Sequence, residues 1–295
     1  MNTAEAWRTI HAFYEKSEPS PEDGFLFTEA SEFLLRAEPD SPDRSAVLFN
    51  LGAYYYESRH FDLALKYYTL AEAAGDTYAS VNLGYIWYYG RTGTVDYEKA
   101  FACFSRGQMY PTARYKLADM YRNGYYVEKD EAEYRRRIGE LYAEMQEAPE
   151  PPALAPEIGL RQAQIWAAQG RTEDAVRLYC EAKAVLAQRL CGDRFFGNFN
   201  IMRTLIGELY ALTEFDPADF DLYDLYYLLE KPASVQFTYR GKKHSVRALC
   251  EDGACPIQFE GAWYRTPDDF IRGAKLGDAY LTDIAPRLRA FEVTA

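Results

Sequence analysis

Two stretches of the chain spell nearly the same phrase 34 residues apart, Ala79 against Ala113 and Leu83 against Leu117. The first runs Ala79-Ser80-Val81-Asn82-Leu83-Gly84 and continues through Tyr88-Tyr89-Gly90, Val95-Asp96 and Lys99-Ala100. The second runs Ala113-Arg114-Tyr115-Lys116-Leu117-Ala118 and continues through Asn123-Gly124, Val127 and Asp130-Glu131-Ala132. A shorter copy precedes both, from Val47 to Leu51-Gly52 and then Phe61-Asp62-Leu63-Ala64. A period in the thirties marks stacked helix pairs, because one pair cannot bury its apolar face without a neighbour. The expected fold is therefore mostly α: an α-solenoid of helix hairpins, followed by a small C-terminal α+β module.

Each unit reads as two amphipathic helices joined by a turn. The first carries a small residue (Val47, Ala79 or Ala113) and, four residues on, Leu with Gly or Ala beside it, which places them on one helical face. Gly inside a helix costs about 1 kcal/mol relative to Ala. Gly52 and Gly84 at equivalent places predict a close helix approach that offsets this cost. Gly90, Gly93 and Asn123-Gly124 supply the turns. Ala64, Ala100 or Ala132 gives the second helix a tight contact, with aromatics such as Tyr67 and Phe104 after it.

Over Leu51–Ala132 these residues resemble the Sel-one-like branch of the tetratricopeptide repeat superfamily. That pattern has Ala, Leu-Gly, an aromatic, a Gly-rich loop ending in Val and Asp, and then Lys-Ala. Lys99-Ala100 after Asp96 matches it, and Ala71, Gly75 and Ala79 match its closing segment. The first unit lacks the extended loop. The third has Glu131-Ala132 in place of Lys-Ala and Ala118 in place of Gly. The resemblance implies a non-enzymatic scaffold that binds a peptide or protein on the surface lined by the first helix of each unit. By that register the site residues are Phe49, Tyr56, Tyr78, Tyr85, Tyr88, Tyr89, Tyr115, Asp119, Arg122 and Asn123. Tyr combines contact area with a hydrogen-bonding tip, which suits recognition; inter-repeat packing is the competing role for the same rings.

The 33 basic and 45 acidic residues leave a net charge of −12. This argues against general nucleic-acid binding, which rests on basic surface. It also supports a rival reading, an immunity-type protein that sequesters a basic toxin or partner. No signal peptide or stretch of about 18 apolar residues stands out, and the five cysteines are scattered, so a cytoplasmic protein with free thiols is expected.

Residues 4–16 and 25–36 read as a helical pair capping the stack, separated by a polar break over 17–23. The first domain spans 1–147 and the Pro-rich linker 148–156. Further tetratricopeptide-like pairs fill 157–231, with Thr172 as a helix N-cap and Asp216-Pro217 starting the last helix. At Lys231-Pro232 the period changes. Val235, Phe237 and Tyr239 alternate with polar residues, Gly241-Lys242-Lys243 turns, and His244–Cys250 returns as a strand. Glu251-Asp252-Gly253 reads as a hairpin turn. Two short strands surround Gly261, and helices are expected near 267–275 and 281–291.

No residue set nominates a reaction, cofactor or metal. His11, His60 and His244 are scattered, and no phosphate loop or nucleophile motif occurs. Cys250 and Cys255 with His244 are an incomplete zinc set, so thiols on a hairpin are expected. Asp216, Asp219, Asp221 and Asp224 lack the spacing and central Gly of a calcium loop and read as an acidic helix start. Arg240, Lys242, Lys243 and Arg247 form one basic cluster. Lys243, Ser245 and Arg247 lie on one strand face, as a nucleic-acid contact or as a solvated hairpin.

Overall fold

The computed structural model describes residues 1–16, 19–214, 220–250 and 254–294. Two compact units divide the chain, Met1–Arg137 and Ile138–Ala295.

The first unit is built from helix hairpins. α1 (Thr3–Tyr14) pairs with α2 (Pro21–Ala37), α3 (Arg44–Glu57) with α4 (Phe61–Ala73), and α5 (Ala79–Tyr88) with α6 (Tyr97–Arg106); α7 (Pro111–Asn123) follows and packs on α5 and α6. α2 begins inside the expected break, because Ser20 and Asp23 form a reciprocal cap and Pro21 occupies the first turn, where its missing N–H costs nothing. Gly124 closes α7 at φ 69°, a left-handed cap. Leu51, Leu83 and Leu117 are buried as the repeat phrase requires, each contributing about 1.5–3 kcal/mol.

The two repeat glycines are slots for aromatic rings. A Cβ on Gly52 would lie 2.6 Å from the Tyr68 ring, and one on Gly84 would lie 2.5 Å from the Phe104 ring. Tyr68 and Phe104 come from the second helix of the same hairpin, so the missing side chain is what lets the two helices close.

α8 (Glu131–Glu147) carries arginine–glutamate pairs at helical spacing, Arg135 with Glu131 and Arg137 with Glu133. In the second unit, α9 (Ala155–Ala168) and α10 (Thr172–Leu190) form a further hairpin in which Leu160, Ala163, Ala175, Tyr179 and Ala182 share one core. Thr172 does not cap α10. It lies within the helix, and the preceding Arg171 grips Asp174 at 2.6 Å instead. α11 (Phe196–Leu212) leads to a single 3₁₀ turn at Leu222–Asp224 and a short α12 (Leu225–Leu228). The expected start of that helix at Asp216-Pro217 lies outside the described residues, as do Asp219 and the Glu251-Asp252-Gly253 turn. Asp221 is the capping residue found.

The module that follows runs β1 (Ala233–Tyr239), β2 (Lys242–Ala248), β3 (Ile257–Phe259), β4 (Ala262–Tyr264), α13 (Pro267–Gly273), β5 (Lys275–Leu276), β6 (Ala279–Tyr280), α14 (Leu281–Ile284) and β7 (Arg289–Thr294). Its main sheet has strand order β4-β3-β2-β1-β7, every neighbouring pair antiparallel. The expected helix over 281–291 is corrected. α14 stops after one turn, Pro286 lies in a short 3₁₀ turn, and the chain then pairs as β7 along β1. One sheet face buries Val235, Phe237, Val246, Ile257 and Phe259 against α13 and α14, and the same core takes in Leu186 and Leu190 of α10 and Phe199, Met202 and Ile206 of α11.

The expectation of five free thiols is also corrected. Cys250 and Cys255 are joined in a disulfide, while Cys103, Cys180 and Cys191 are free thiols. Among the described residues, no helix is long and apolar enough to cross a membrane.

Candidate binding surface

The repeat arrangement brings the C-terminal ends of α3 and α5 to the middle of α7, around one buried lysine. Lys116, 6% exposed, donates from Nζ to the Tyr89 hydroxyl at 2.8 Å and lies 3.7 Å from the Asp119 carboxylate. The ring centroids of Tyr85, Tyr88, Tyr89 and Tyr115 surround its ammonium at 5.0–5.4 Å. An ammonium so enclosed gains from the ring faces and from its carboxylate what it loses in hydration. Arg91 extends the cluster outward, its guanidinium 4.8 Å over Tyr89 and 5.5 Å over Phe61. Burial pushes the Tyr56 phenol up, and Arg91 beside it pulls it partly back.

The named surface residues fall into three groups. Tyr56, Tyr85, Tyr89, Tyr115 and Asp119 belong to the lysine cluster, where Tyr115 and Asp119 are buried and Tyr89 is 44% exposed. Phe49 and Tyr78 form a separate patch, 5.9 Å apart, with Tyr68 against Phe49 and Tyr110 against Tyr78. Arg122 and Asn123 face elsewhere: Arg122 covers the Tyr134 ring, and Asn123 bonds back to the Asp119 carbonyl. Tyr88 belongs to the lysine cluster and also to the repeat core. It packs edge-on against Tyr97, Phe104 and Tyr125, and burial beside Asp119 pushes its phenol up.

Lys116 and Arg91 are the two surface-defining residues that the repeat register does not pick out. Lys116 had one signal, an opposite charge three positions on at Asp119 in a helix with apolar neighbours.

A second buried charge cluster lies in the other unit. The Lys183 ammonium meets Asp224 Oδ1 and Oδ2 at 2.7 and 2.8 Å and Asp221 Oδ2 at 3.1 Å. The Tyr210 hydroxyl and the Asp221 backbone N–H also donate to Asp224. Burial pulls Lys183 down, but Asp221 and Asp224 together outweigh it and push it up, so it stays protonated with its donors engaged and offers no lone pair for nucleophilic chemistry. This places Asp221 and Asp224 in an ion cluster with Lys183. Among the described residues, no group of three or more His, Cys, Asp and Glu could hold a metal ion. A cleft of about 230 Å³ beside α9 and α10 is lined mainly by apolar residues, including Met145, Pro151, Ala155 and Val185.

In the basic cluster, Arg240 stacks over Tyr239 at the β1–β2 turn. Lys243 and Arg247 point to the sheet face opposite the core, since His244, Val246 and Ala248 alternate with them.

No protein-family model matches the chain, and no curated protein matches it. Among solved structures, the chain is similar to a Sel1 repeat protein from Oxalobacter formigenes, at 19% identity and TM-score 0.44, over 71% of this chain and 90% of that one. It is also similar to a tetratricopeptide repeat protein from Parabacteroides merdae ATCC 43184, at 15% identity and TM-score 0.46, over 77% of this chain and 83% of that one.

Proposed function

We propose that the N-terminal hairpins are a non-enzymatic scaffold that holds a peptide or protein segment against Tyr56, Tyr85, Tyr89 and Arg91, with Lys116 buried behind them. The supporting observation is Tyr89. Lys116 fixes its hydroxyl, while its ring stays 44% exposed. A ring already held in place loses little freedom on binding, and pinned aromatics of this kind make strong interface anchors.

Peptides selected from a random display library on the full chain provide the test. Tyr89→Ala is expected to weaken them about tenfold or more, the size of an interface hot spot, and also to lower the melting temperature, because it takes away the hydroxyl to which buried Lys116 donates. Unchanged affinity would move the site off this surface. A salt series on the same peptides tests the basic-partner reading: steep weakening with salt supports a partner held by the −12 charge, and flat behaviour excludes it.

A further inference from the structure

Among the described residues, one face of the C-terminal sheet carries the core with α13 and α14. On the other, the register places Ser234 opposite Arg247, Arg247 opposite Gln258, and Gln258 opposite Trp263, one continuous row across β1, β2, β3 and β4. Neighbouring strands lie about 4.8 Å apart, so the row extends roughly 14 Å. Trp263 is 57% exposed, an unusual state for the largest apolar side chain on an open sheet. Ser245 lies on the same face, paired with Gln236; its hydroxyl is buried there and finds no hydrogen-bond partner among the described residues.

The charge on this face runs against that of the whole chain. Among the described residues of the strands, Lys243, Arg247 and Arg289 stand against one acid, Glu292, where the chain as a whole has 45 acids to 33 bases. Lys243 lies 3.9 Å from Glu292, and Arg289 turns back onto the carbonyls of Pro286 and Leu288. Arg247 is therefore the cation of the row that no carboxylate neutralises among the described residues.

We infer that this face binds single-stranded nucleic acid. A base stacks on Trp263, the Gln258 amide reads its edge, and Arg247 with Lys243 takes the phosphates. An exposed indole, an amide and a guanidinium at strand spacing on a flat sheet match what an unstacked strand presents: a planar base, a polar edge and a charged backbone. A duplex hides its base faces and offers Trp263 nothing to stack on. An acidic polypeptide would use Arg247 and leave Trp263 without a role.

The full chain is titrated into short dye-labelled single strands of RNA and of DNA, and into a duplex of the same sequence, at about 50 mM salt. Either strand is expected to bind, to bind better than the duplex, and to quench tryptophan fluorescence. Trp263→Ala should weaken binding about tenfold and remove most of the quench. Arg247→Glu should weaken it at least as much and flatten the salt dependence. Both side chains are exposed, and matching melting curves check that the variants fold. Absence of strand binding overturns the inference. So do wild-type affinity in Trp263→Ala, equal or tighter duplex binding, or full displacement of the strand by polyglutamate at matched charge; the last would make the occupant an acidic polypeptide.

Discussion

Gly84→Val is expected to destabilise the N-terminal unit by about 3 kcal/mol, the upper range for overpacking a tight core. A Cβ at this position would lie 2.5–2.9 Å from three atoms of the Phe104 ring. Phe104 cannot yield, because it is fully buried and packed edge-on against Tyr85 and Tyr88. Gly52→Val should behave alike through Tyr68. Gly139→Ala is the contrasting control: nothing lies within 4 Å of its Cβ position, so the change should gain up to about 1 kcal/mol of helix propensity. Chemical denaturation measures all three. Adding Phe104→Leu to Gly84→Val should recover part of the loss, because the two sites share one contact. If Gly84→Val melts like the parent, the glycine slot does not hold the hairpin closed.

Lys183→Met should cost the C-terminal unit about 3–5 kcal/mol at neutral pH. The variant leaves Asp224, which is 0% exposed, without the cation that neutralises it. Burial already pushes the Asp224 carboxyl up, and losing Lys183 pushes it further. An acid whose folded pKa lies above its unfolded value of about 3.9 loses stability as pH rises through the gap. The deficit should therefore be full at neutral pH and shrink on acidification, as Asp224 takes a proton in the folded state. Lys183 contributes the opposite dependence in the parent. Its raised pKa gives stability that is complete below about pH 10.4 and is lost only as pH climbs through the folded value, a loss the Met variant cannot show. A deficit that does not change with pH would mean that lost packing, rather than the unpaired carboxylate, is responsible.

The helical half was legible because its signals are periodic. Leu51, Leu83 and Leu117 repeat, and each marks a buried position on the first helix of a hairpin. The β1–β2 hairpin was legible for the same reason, since Val235, Phe237 and Tyr239 alternate. Features made by contacts distant in sequence were not. Lys183 meets Asp224 41 residues away, and no local pattern ties them. At Arg289–Thr294 the local signal favoured helix, but Pro286 and pairing with β1, more than fifty residues earlier, decide for strand. The aromatic surface lies between. Its tyrosines follow from register, while Lys116, which aligns with Asn82 in the preceding unit, and Arg91 are not repeat landmarks.

The core beneath the C-terminal sheet has a practical consequence for dissecting this protein. Ser234, near the start of β1, pairs with Thr294, near the end of β7, so the segment opens and closes at adjacent points and looks like a removable cassette. Its interior, however, is finished by Phe199, Met202 and Leu190, which a cut at Lys231 would leave behind. An excised piece beginning there would present a bare oily floor to water and aggregate. A soluble fragment should begin before Ala155 and carry α9, α10 and α11 with it, because α9 completes the core on the far side of α10.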